Sequence, residues 1–303
     1  MKEATKQKPK IIVIAGTTSS GKSDLAVQIA KKFDGEVISA DSRQVYRDLD
    51  IGTGKITVSE MKGVPHHMLD VASSRRAFTA AQFKKKGEKA LKDIIKRGKL
   101  PIIAGGTGFY IDALLGGSIL PEVPPNPKLR TQLEKKSAPE LFAELKKLDP
   151  RRAEEIDPHN PRRLVRAIEI ASALGSVPHL EPRVPNEYDV LWIGLELDKD
   201  TLIEKIDKRN EKMFDLGLVE EVKKLREQNI TWKRIDALGF EYKYVAEFIR
   251  GKMSKEEALE KMNTETWHYA KRQINWFRKN ENIKWFAPKD KKGVEELVGK
   301  FVK

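Results

Sequence analysis

The sequence predicts an α/β protein: a parallel β-sheet flanked by helices, with an all-helical segment inserted between two parts of the sheet. Three observations lead to this fold class. Short apolar runs of strand length alternate with amphipathic stretches. The first run leads into a glycine-rich loop that opens a helix, and a charged segment bounded by prolines interrupts the alternation before another apolar run appears.

The first half of the chain supplies three strands. Residues 11–15 form a continuous β-branched run, and residues 24–33 follow with apolar side chains at helical spacing. Residues 37–40 and 101–104 predict the second and third strands, with an amphipathic helix at residues 79–97 between them. Strands that are apolar throughout are buried on both faces, which is typical of a parallel sheet.

The pattern changes after residue 118. Residues 129–148 and 161–174 predict charged helices, and prolines precede and follow them. The apolar run at residues 190–197 then predicts a return to the sheet. We therefore predict a helical insertion at residues 119–185 in a core formed by residues 1–118 and 186–303. The remaining predicted elements are helices at residues 200–228 and 254–280 and an edge strand at residues 283–286.

Composition excludes several classes of protein. With no cysteine, the chain has no disulfide, thiolate metal site or cysteine nucleophile. Its 58 Lys and Arg against 45 Asp and Glu leave a net charge of +13, which attracts polyanions, although a solvated lysine-rich surface has the same charge. No apolar run approaches the ~18 residues that a membrane helix needs, so we expect a cytoplasmic protein without membrane contact.

An unbroken G-x-x-x-x-G-K-S motif is the most specific signal, and it predicts a P-loop NTPase-like fold. Because the loop follows a buried strand and opens a helix, its backbone N–H groups face an anion together. Lys22 adds a positive charge, and the Ser23 hydroxyl is a candidate ligand for Mg²⁺. The predicted diphosphate-binding residues are Gly16, Thr17, Thr18, Ser19, Ser20, Gly21, Lys22 and Ser23.

Two further loops belong to the same edge of the predicted sheet. Asp41 follows the second strand, where it could hold Mg²⁺ through water, act as a general base, or only cap a turn. Thr107 lies in a glycine-rich loop after the third strand. Arg209, on the helix after the late strand, could reach the phosphate site as a bidentate clamp.

Basic clusters indicate a nucleic-acid partner, although each could instead be a solvated helix face or an internal ion-pair network. Arg162 and Arg166 lie one turn apart on a helix of the insertion. The C-terminal predicted helix carries donors beside Trp267 and Trp276. The candidate residues are Arg162, Arg163, Arg166, Lys271, Arg272, Gln273, Asn275 and Arg278. The histidines have no metal-ligand spacing, so we predict structural or surface positions for His66 and the others.

Together these stretches resemble the tRNA dimethylallyltransferases of bacteria, over nearly the whole chain. The resemblance includes the P-loop and the stretches GEVISADSRQ at residues 35–44, DIGTGK at 50–55, GKLPIIAGGTGFY at 98–110, RRLVRAIE at 162–169 and AKRQINWFR at 270–278. It implies prenyl transfer from dimethylallyl diphosphate, with Mg²⁺, to the exocyclic N6 of adenosine-37 beside the anticodon of tRNA.

The resemblance also implies roles for individual residues. Thr18 would hydrogen-bond the reacting centre and hold the Asp41 carboxylate, Asp41 would be the base, and Arg209 would stabilise the departing diphosphate. The resemblance adds Asp41, Ser42, Arg43, Gln44, Thr107 and Arg130 to the predicted tRNA contacts. We expect a monomer.

The chain departs from the family pattern at several positions. Thr17 and Ser19 replace a proline and an alanine, Glu241 replaces a basic residue after the Gly239-Phe240 pair, and the insertion is short. Two other functions share the P-loop. An ATP-dependent kinase would need an arginine-rich lid, and a non-catalytic RNA-binding P-loop protein would not need Asp41 or Arg209.

Overall fold

The computed structural model describes residues 8–117, 121–178 and 187–303. These form two compact units, residues 8–117 with 187–303, and residues 121–178. The predicted boundaries at 118/119 and 185/186, and His179, lie outside the described residues. No helix of the described residues is both long and apolar enough to cross a membrane.

The larger unit contains a six-stranded, all-parallel sheet in the order β3-β2-β4-β1-β5-β6. Its strands are β1 (Lys10–Gly16), β2 (Gly35–Ser39), β3 (His66–His67), β4 (Leu100–Gly105), β5 (Asp189–Leu195) and β6 (Lys284–Phe286). This arrangement confirms the predicted α/β fold class. The sequence analysis missed β3, because two histidines carry no apolar strand signal.

Helices cover both faces of this sheet. The helices of the larger unit are α1 (Lys22–Lys32), α2 (Val58–Met61), α3 (Ala80–Lys96), α4 (Gly108–Leu115), α9 (Lys199–Asp215), α10 (Leu218–Glu227), α11 (Trp232–Asp236), α12 (Phe240–Ile249), α13 (Lys255–Phe277) and α14 (Lys291–Val302). Strand β1 explains why its run is apolar throughout. Ile11 and Val13 pack into one core cluster, whereas Ile12 and Ile14 pack into another with α1 and α14.

The smaller unit is helical. It contains α5 (Pro127–Leu133), α6 (Ala138–Leu148), α7 (Pro150–Glu155) and α8 (Pro161–Leu174). Leu141, Leu145, Leu164 and Ile168 are fully buried in its own core.

Two long helices predicted from the sequence are each divided into two shorter helices in the structure. The helix expected at residues 129–148 is divided, because Ser137 and Glu140 form a capping box that starts α6. The helix expected at residues 200–228 is divided at Gly217, whose φ of 98° is left-handed. Hydrophobic periodicity continues across both breaks, so the pattern alone did not reveal them.

Candidate functional site

The glycine-rich loop of residues 16–23 joins β1 to the first turn of α1. Its backbone enters the left-handed region at Ser19, with φ of 62°, and at Gly21, with φ of 88°. This turn brings consecutive backbone N–H groups to the start of α1, where no preceding turn of helix can accept them. The positive end of the helix dipole lies at the same place, so the loop suits an anion.

Some polar side chains of this loop are paired within the loop, and two hydroxyls are not. The Lys22 ammonium and the Ser20 hydroxyl both donate to the Thr17 carbonyl, the latter at 2.8 Å. The buried Oγ of Ser19 and Oγ1 of Thr17 have no hydrogen-bond partner among the described residues. Because an unpaired buried hydroxyl is costly, a bound ligand that pairs with these atoms would be stabilised.

Asp41 lies in a turn just after β2. Its Oδ1 accepts the backbone N–H of Arg43 at 2.8 Å and that of Gln44 at 3.2 Å. The Thr107 hydroxyl, after β4, accepts the backbone N–H of Ser42 at 3.1 Å. The two loops are therefore joined where the neighbouring strands β2 and β4 end, at the edge of the sheet that carries the P-loop.

Arg209 on α9 connects the P-loop to a third loop. Its Nη1 donates to the Thr18 hydroxyl, and its Nη2 donates to the Thr53 carbonyl at 3.1 Å. The guanidinium lies so close to Gly54 that an added Cβ there would be 2.6 Å from Nη2. The Thr18 hydroxyl thus pairs with Arg209, and no described contact joins it to the Asp41 carboxylate as the resemblance implied.

Gln273 on α13 supports the P-loop from the opposite side. Its Oε1 accepts the Thr18 backbone N–H at 2.9 Å, and its Nε2 donates to the Gly106 carbonyl at 2.9 Å. Only 5% of Gln273 is exposed. It therefore differs from the exposed donors of the same helix, with which the sequence analysis had grouped it, because both ends of its amide bind the backbone of the core.

These elements enclose a cavity of about 490 Å³. Its lining includes Thr18, Ser19, Lys22, Ser23, Asp41, Ser42, Arg43, Gln44, Thr53, Gly54, His66, Arg209, Phe240, Glu241, Tyr269, Arg272 and Gln273. The cavity thus brings together P-loop residues, Asp41 and Arg209, which are distant in sequence.

Charge in the cavity is unevenly balanced. Burial lowers the pKa of Lys22 to about 8, the Asp41 carboxylate acts to raise it, and the Arg209 guanidinium acts to lower it. A lysine and an arginine thus share this part of the cavity with one carboxylate. An anion with several negative charges would offset the remaining positive charge.

Glu241 is a second carboxylate in this cavity. Burial raises its pKa to about 7, against the opposing effects of Arg209 and Arg43. Asp41 adds to the rise because two nearby carboxylates repel when both are ionised. The residue that replaces the family's basic side chain is therefore a component of the cavity rather than of the outer surface.

The pH dependence of stability should report the environment of Glu241. Its pKa of about 7, against an ordinary 4.5, means that the folded protein keeps a proton that the unfolded chain releases between these values. The free energy of unfolding therefore falls as pH rises through this range. We expect wild type to lose about 1–3 kcal/mol relative to Glu241→Gln between about pH 5 and about pH 8 in urea unfolding. Parallel pH profiles for the two proteins would contradict the raised pKa.

The predicted basic face of α13 is exposed. Lys271, Arg272, Asn275 and Arg278 all lie on the surface, and Arg278 pairs with Glu196 at 2.7 Å. The Lys271 ammonium is 5.5 Å from the centre of the Trp267 ring, and the Arg272 guanidinium is 5.8 Å from that of Tyr269. This helix therefore presents cations beside aromatic rings, a combination that suits phosphates and bases.

In the smaller unit the predicted arginines divide into two pairs. Arg162 and Arg163 are exposed. Arg130 donates twice to the buried Glu169 carboxylate, each time at 2.7 Å, and Arg166 lies 3.4 Å from it. The alternative of an internal ion-pair network therefore applies to Arg130 and Arg166. The Arg130 guanidinium joins α5 to α8 through Glu169, whereas Arg166 pairs with Glu169 within α8.

Sequence reasoning missed several parts of the site. The carbonyls of Thr53 and Gly54 bind Arg209 and Gln44, but backbone groups carry no sequence signal. The expectation that His66 is purely structural is incomplete, since it lines the cavity and its buried Nε2 has no partner among the described residues. Tyr269 also lines the cavity, and burial raises its pKa to about 12.

A parallel sheet whose first strand leads through a glycine-rich loop into a helix defines a P-loop-type α/β protein. Comparison with known families is more specific. The model of the IPP transferase family matches residues 44–280, and this chain belongs to that family.

Similar proteins agree with this assignment. The tRNA dimethylallyltransferase of Thermomicrobium roseum is 41% identical over 286 residues, covering 93% of this chain and 87% of the relative. That of Anoxybacillus flavithermus is 39% identical over 297 residues, covering 97% and 95%. The full-length tRNA isopentenylpyrophosphate transferase of Bacillus halodurans superposes with a TM-score of 0.73 at 35% identity, covering 96% of both chains. A eukaryotic dimethylallyltransferase acting on tRNA superposes with a TM-score of 0.78 at 31% identity, covering 93% of this chain and 74% of that one.

Proposed function

We propose that this protein transfers the dimethylallyl group of dimethylallyl diphosphate to the exocyclic N6 of adenosine-37 in tRNA, releasing diphosphate. The observation that carries the proposal is that a P-loop, the Arg209 guanidinium and the Asp41 carboxylate line one cavity. Relatives named tRNA dimethylallyltransferase, each matching most of this chain, support the choice of substrates.

The P-loop and Arg209 would stabilise the leaving group. As the allylic carbon–oxygen bond breaks, negative charge accumulates on the diphosphate and positive charge on the carbon. Free backbone N–H groups of the loop at residues 16–23, the Lys22 ammonium and the Arg209 guanidinium would meet that negative charge. The roles of Gly16, Thr17, Thr18, Ser19, Ser20, Gly21, Lys22 and Ser23 in binding diphosphate belong to this proposal.

Asp41 would take the proton. The lone pair of an adenine exocyclic amine is delocalised into the ring, so the amine is a weak nucleophile. Its N–H becomes acidic as the carbon–nitrogen bond forms and the nitrogen gains positive charge. A carboxylate oxygen can then accept that proton. Because Oδ1 of Asp41 is occupied by the backbone of Arg43 and Gln44, Oδ2 is the oxygen that we assign to the amine.

The residues present fit Mg²⁺ bound mainly by the substrate. The described residues contain no cluster of three His, Asp or Glu side chains that could hold a metal. Mg²⁺ is commonly bound through one or two protein oxygens together with phosphate oxygens and water. The Ser23 hydroxyl, which lines the same cavity as the unpartnered Ser19 hydroxyl, would provide the protein contact. The ion would neutralise charge on the leaving diphosphate.

Reaching the cavity requires that the target adenine leaves the base stack of the anticodon loop. Residues around the cavity and on the exposed face of α13 would contact the RNA. In the larger unit the proposed contacts are Asp41, Ser42, Arg43, Gln44, Thr107, Lys271, Arg272, Asn275 and Arg278, and in the smaller unit they are Arg162 and Arg163. Arg130, Arg166 and Gln273 are left out of the proposed contacts, because their side chains already pair with Glu169 or with the backbone. We further propose that the protein acts as a monomer and, because its substrate is a tRNA, in the cytoplasm.

Replacing Lys271 by alanine should weaken tRNA binding without affecting chemistry. An exposed ammonium that contacts phosphate contributes to affinity through counterion release, so we expect KM for tRNA to rise about 3–10-fold and the slope of log K against log salt to fall by about one. Titration at several salt concentrations measures both. Lys261, exposed on the same helix, provides the matched control, Lys261→Ala. Equal losses in the two variants would contradict a specific contact.

The function is tested by incubating the purified protein and Mg²⁺ with dimethylallyl diphosphate and an unmodified anticodon stem-loop, followed by mass spectrometry of the RNA. We expect one prenyl group on the adenosine beside the anticodon. The absence of a mass increase, together with consumption of added ATP, would replace the transferase by a kinase.

A further inference from the structure

We infer that Glu221 is a positioning residue for Arg209, because its carboxylate holds the loop whose carbonyl binds the guanidinium. The inference rests on the proposed role of Arg209 toward diphosphate. Glu221 is not among the described residues that line the cavity, so it would act only through this loop.

The Glu221 carboxylate binds three consecutive backbone N–H groups. Its Oε2 accepts those of Asp50 at 2.9 Å and Ile51 at 2.8 Å, and its Oε1 accepts that of Gly52 at 3.1 Å. Oε1 also accepts the hydroxyl of the fully buried Tyr242 at 2.7 Å. Four donors around one carboxylate make charge-assisted hydrogen bonds, which are stronger than neutral ones.

The same contacts fix the position of residues 50–54. Gly52 packs so closely against the Tyr242 ring that an added Cβ would lie 2.7 Å from it. The Thr53 hydroxyl donates to the Leu49 carbonyl at 2.6 Å, and the Thr53 carbonyl accepts Nη2 of Arg209 at 3.1 Å. The position of the guanidinium thus depends on a loop that Glu221 holds from behind.

Arg209 has a second anchor at the Thr18 hydroxyl, in the P-loop itself. With only that anchor the guanidinium keeps its contact with the P-loop but can rotate about it. A loss of orientation of this kind lowers the rate of the step that Arg209 assists more than it lowers folding stability.

A double-mutant cycle tests the inference. Glu221→Gln keeps the size of the side chain but presents an NH₂ group to N–H and O–H donors. Some of the four hydrogen bonds that the Glu221 carboxylate accepts are therefore lost. We expect kcat for prenyl transfer to fall about tenfold and Kd for inorganic diphosphate with Mg²⁺ to rise about tenfold, with KM for the stem-loop unchanged. In an Arg209→Ala background the same substitution should change each quantity less than about twofold.

Glu220 provides the matched control. It precedes Glu221 in α10 but is exposed, with only a loose pair to Lys223 at 3.9 Å. Glu220→Gln should leave kcat and the diphosphate Kd unchanged. Equal losses for Glu221→Gln in the wild-type and Arg209→Ala backgrounds would make its effect independent of Arg209 and overturn the inference, as would wild-type values for Glu221→Gln.

A second variant, Tyr242→Phe, and the measurement of diphosphate binding distinguish the remaining outcomes. If Glu221→Gln does not fold, Tyr242→Phe removes one of the four donors, and the same cycle with Arg209→Ala is expected to show the same coupling with a smaller loss. Additive losses there would overturn the inference. Diphosphate binding separates the two proposals, since coupled losses of diphosphate affinity without prenyl transfer by wild type would overturn the proposed function but retain the role of Glu221.

Discussion

Replacing Asp41 by asparagine is expected to lower the single-turnover rate of prenyl transfer about 10²–10⁴-fold, the usual contribution of a positioned general base. The asparagine Oδ1 can still accept the backbone N–H groups of Arg43 and Gln44, so the turn after β2 is retained. The amide has no basic oxygen for the amine proton. Mass spectrometry of the stem-loop after rapid quenching measures the rate.

The same variant should keep its affinity for inorganic diphosphate within a few fold, because we propose that the P-loop and Arg209 bind the anion. Asp200→Asn, an exposed substitution at the start of α9, controls for the loss of one negative charge. A wild-type rate for Asp41→Asn would exclude Asp41 as the base and leave it as a turn-forming residue.

Replacing Arg209 by alanine should lower kcat about 10²–10³-fold, the typical cost of losing one donor to developing charge. Unlike the Asp41 substitution, it should also weaken diphosphate binding, because the guanidinium carries one of the positive charges beside Lys22. Steady-state kinetics together with calorimetric titration of diphosphate separate the two effects.

Lys208 is the matched control for Arg209. It is the preceding residue, it is exposed, and it pairs with Glu204 on the same helix. Lys208→Ala should preserve both kcat and diphosphate affinity. If Arg209→Ala keeps kcat within about threefold of wild type, then the leaving group does not depend on this residue, and its contacts with Thr18 and Thr53 only support the fold.

Much of the fold follows from local patterns. The runs at residues 11–15, 37–40 and 101–104 correspond to β1, β2 and β4, because strands buried on both faces are mostly apolar. Helix boundaries were harder to predict from the sequence, because the divisions at Ser137 and Gly217 depend on capping and on a positive φ. Strand β3 could not be found, since its pairing with β2 is a tertiary contact.

Residues of the site could be predicted from the sequence wherever a motif requires particular residue types. The sequence predicted the P-loop, Asp41 and Arg209 as candidates. Asp41, Arg209 and the P-loop residues Thr18, Ser19, Gly21, Lys22 and Ser23 line one cavity in the structure, whereas Gly16, Thr17 and Ser20 do not. The role of Gln273 as a P-loop support could not be predicted from the sequence, because its exposed neighbours on α13 are polar donors like it. An internal ion-pair network was left open for the arginine cluster, but its partner Glu169 was not identified, since a buried carboxylate looks like any other glutamate in the sequence of a helix.

The sequence by itself determined the α/β class, the phosphate-binding loop and the likeness to one enzyme family, because these depend on residue types at fixed local spacing. Only the tertiary structure decided that Arg209 contacts Thr18, that Glu241 lies in the cavity and that Glu221 holds residues 50–52. These contacts join residues far apart along the chain. Their distances and pKa values depend on burial and packing, which no local pattern records.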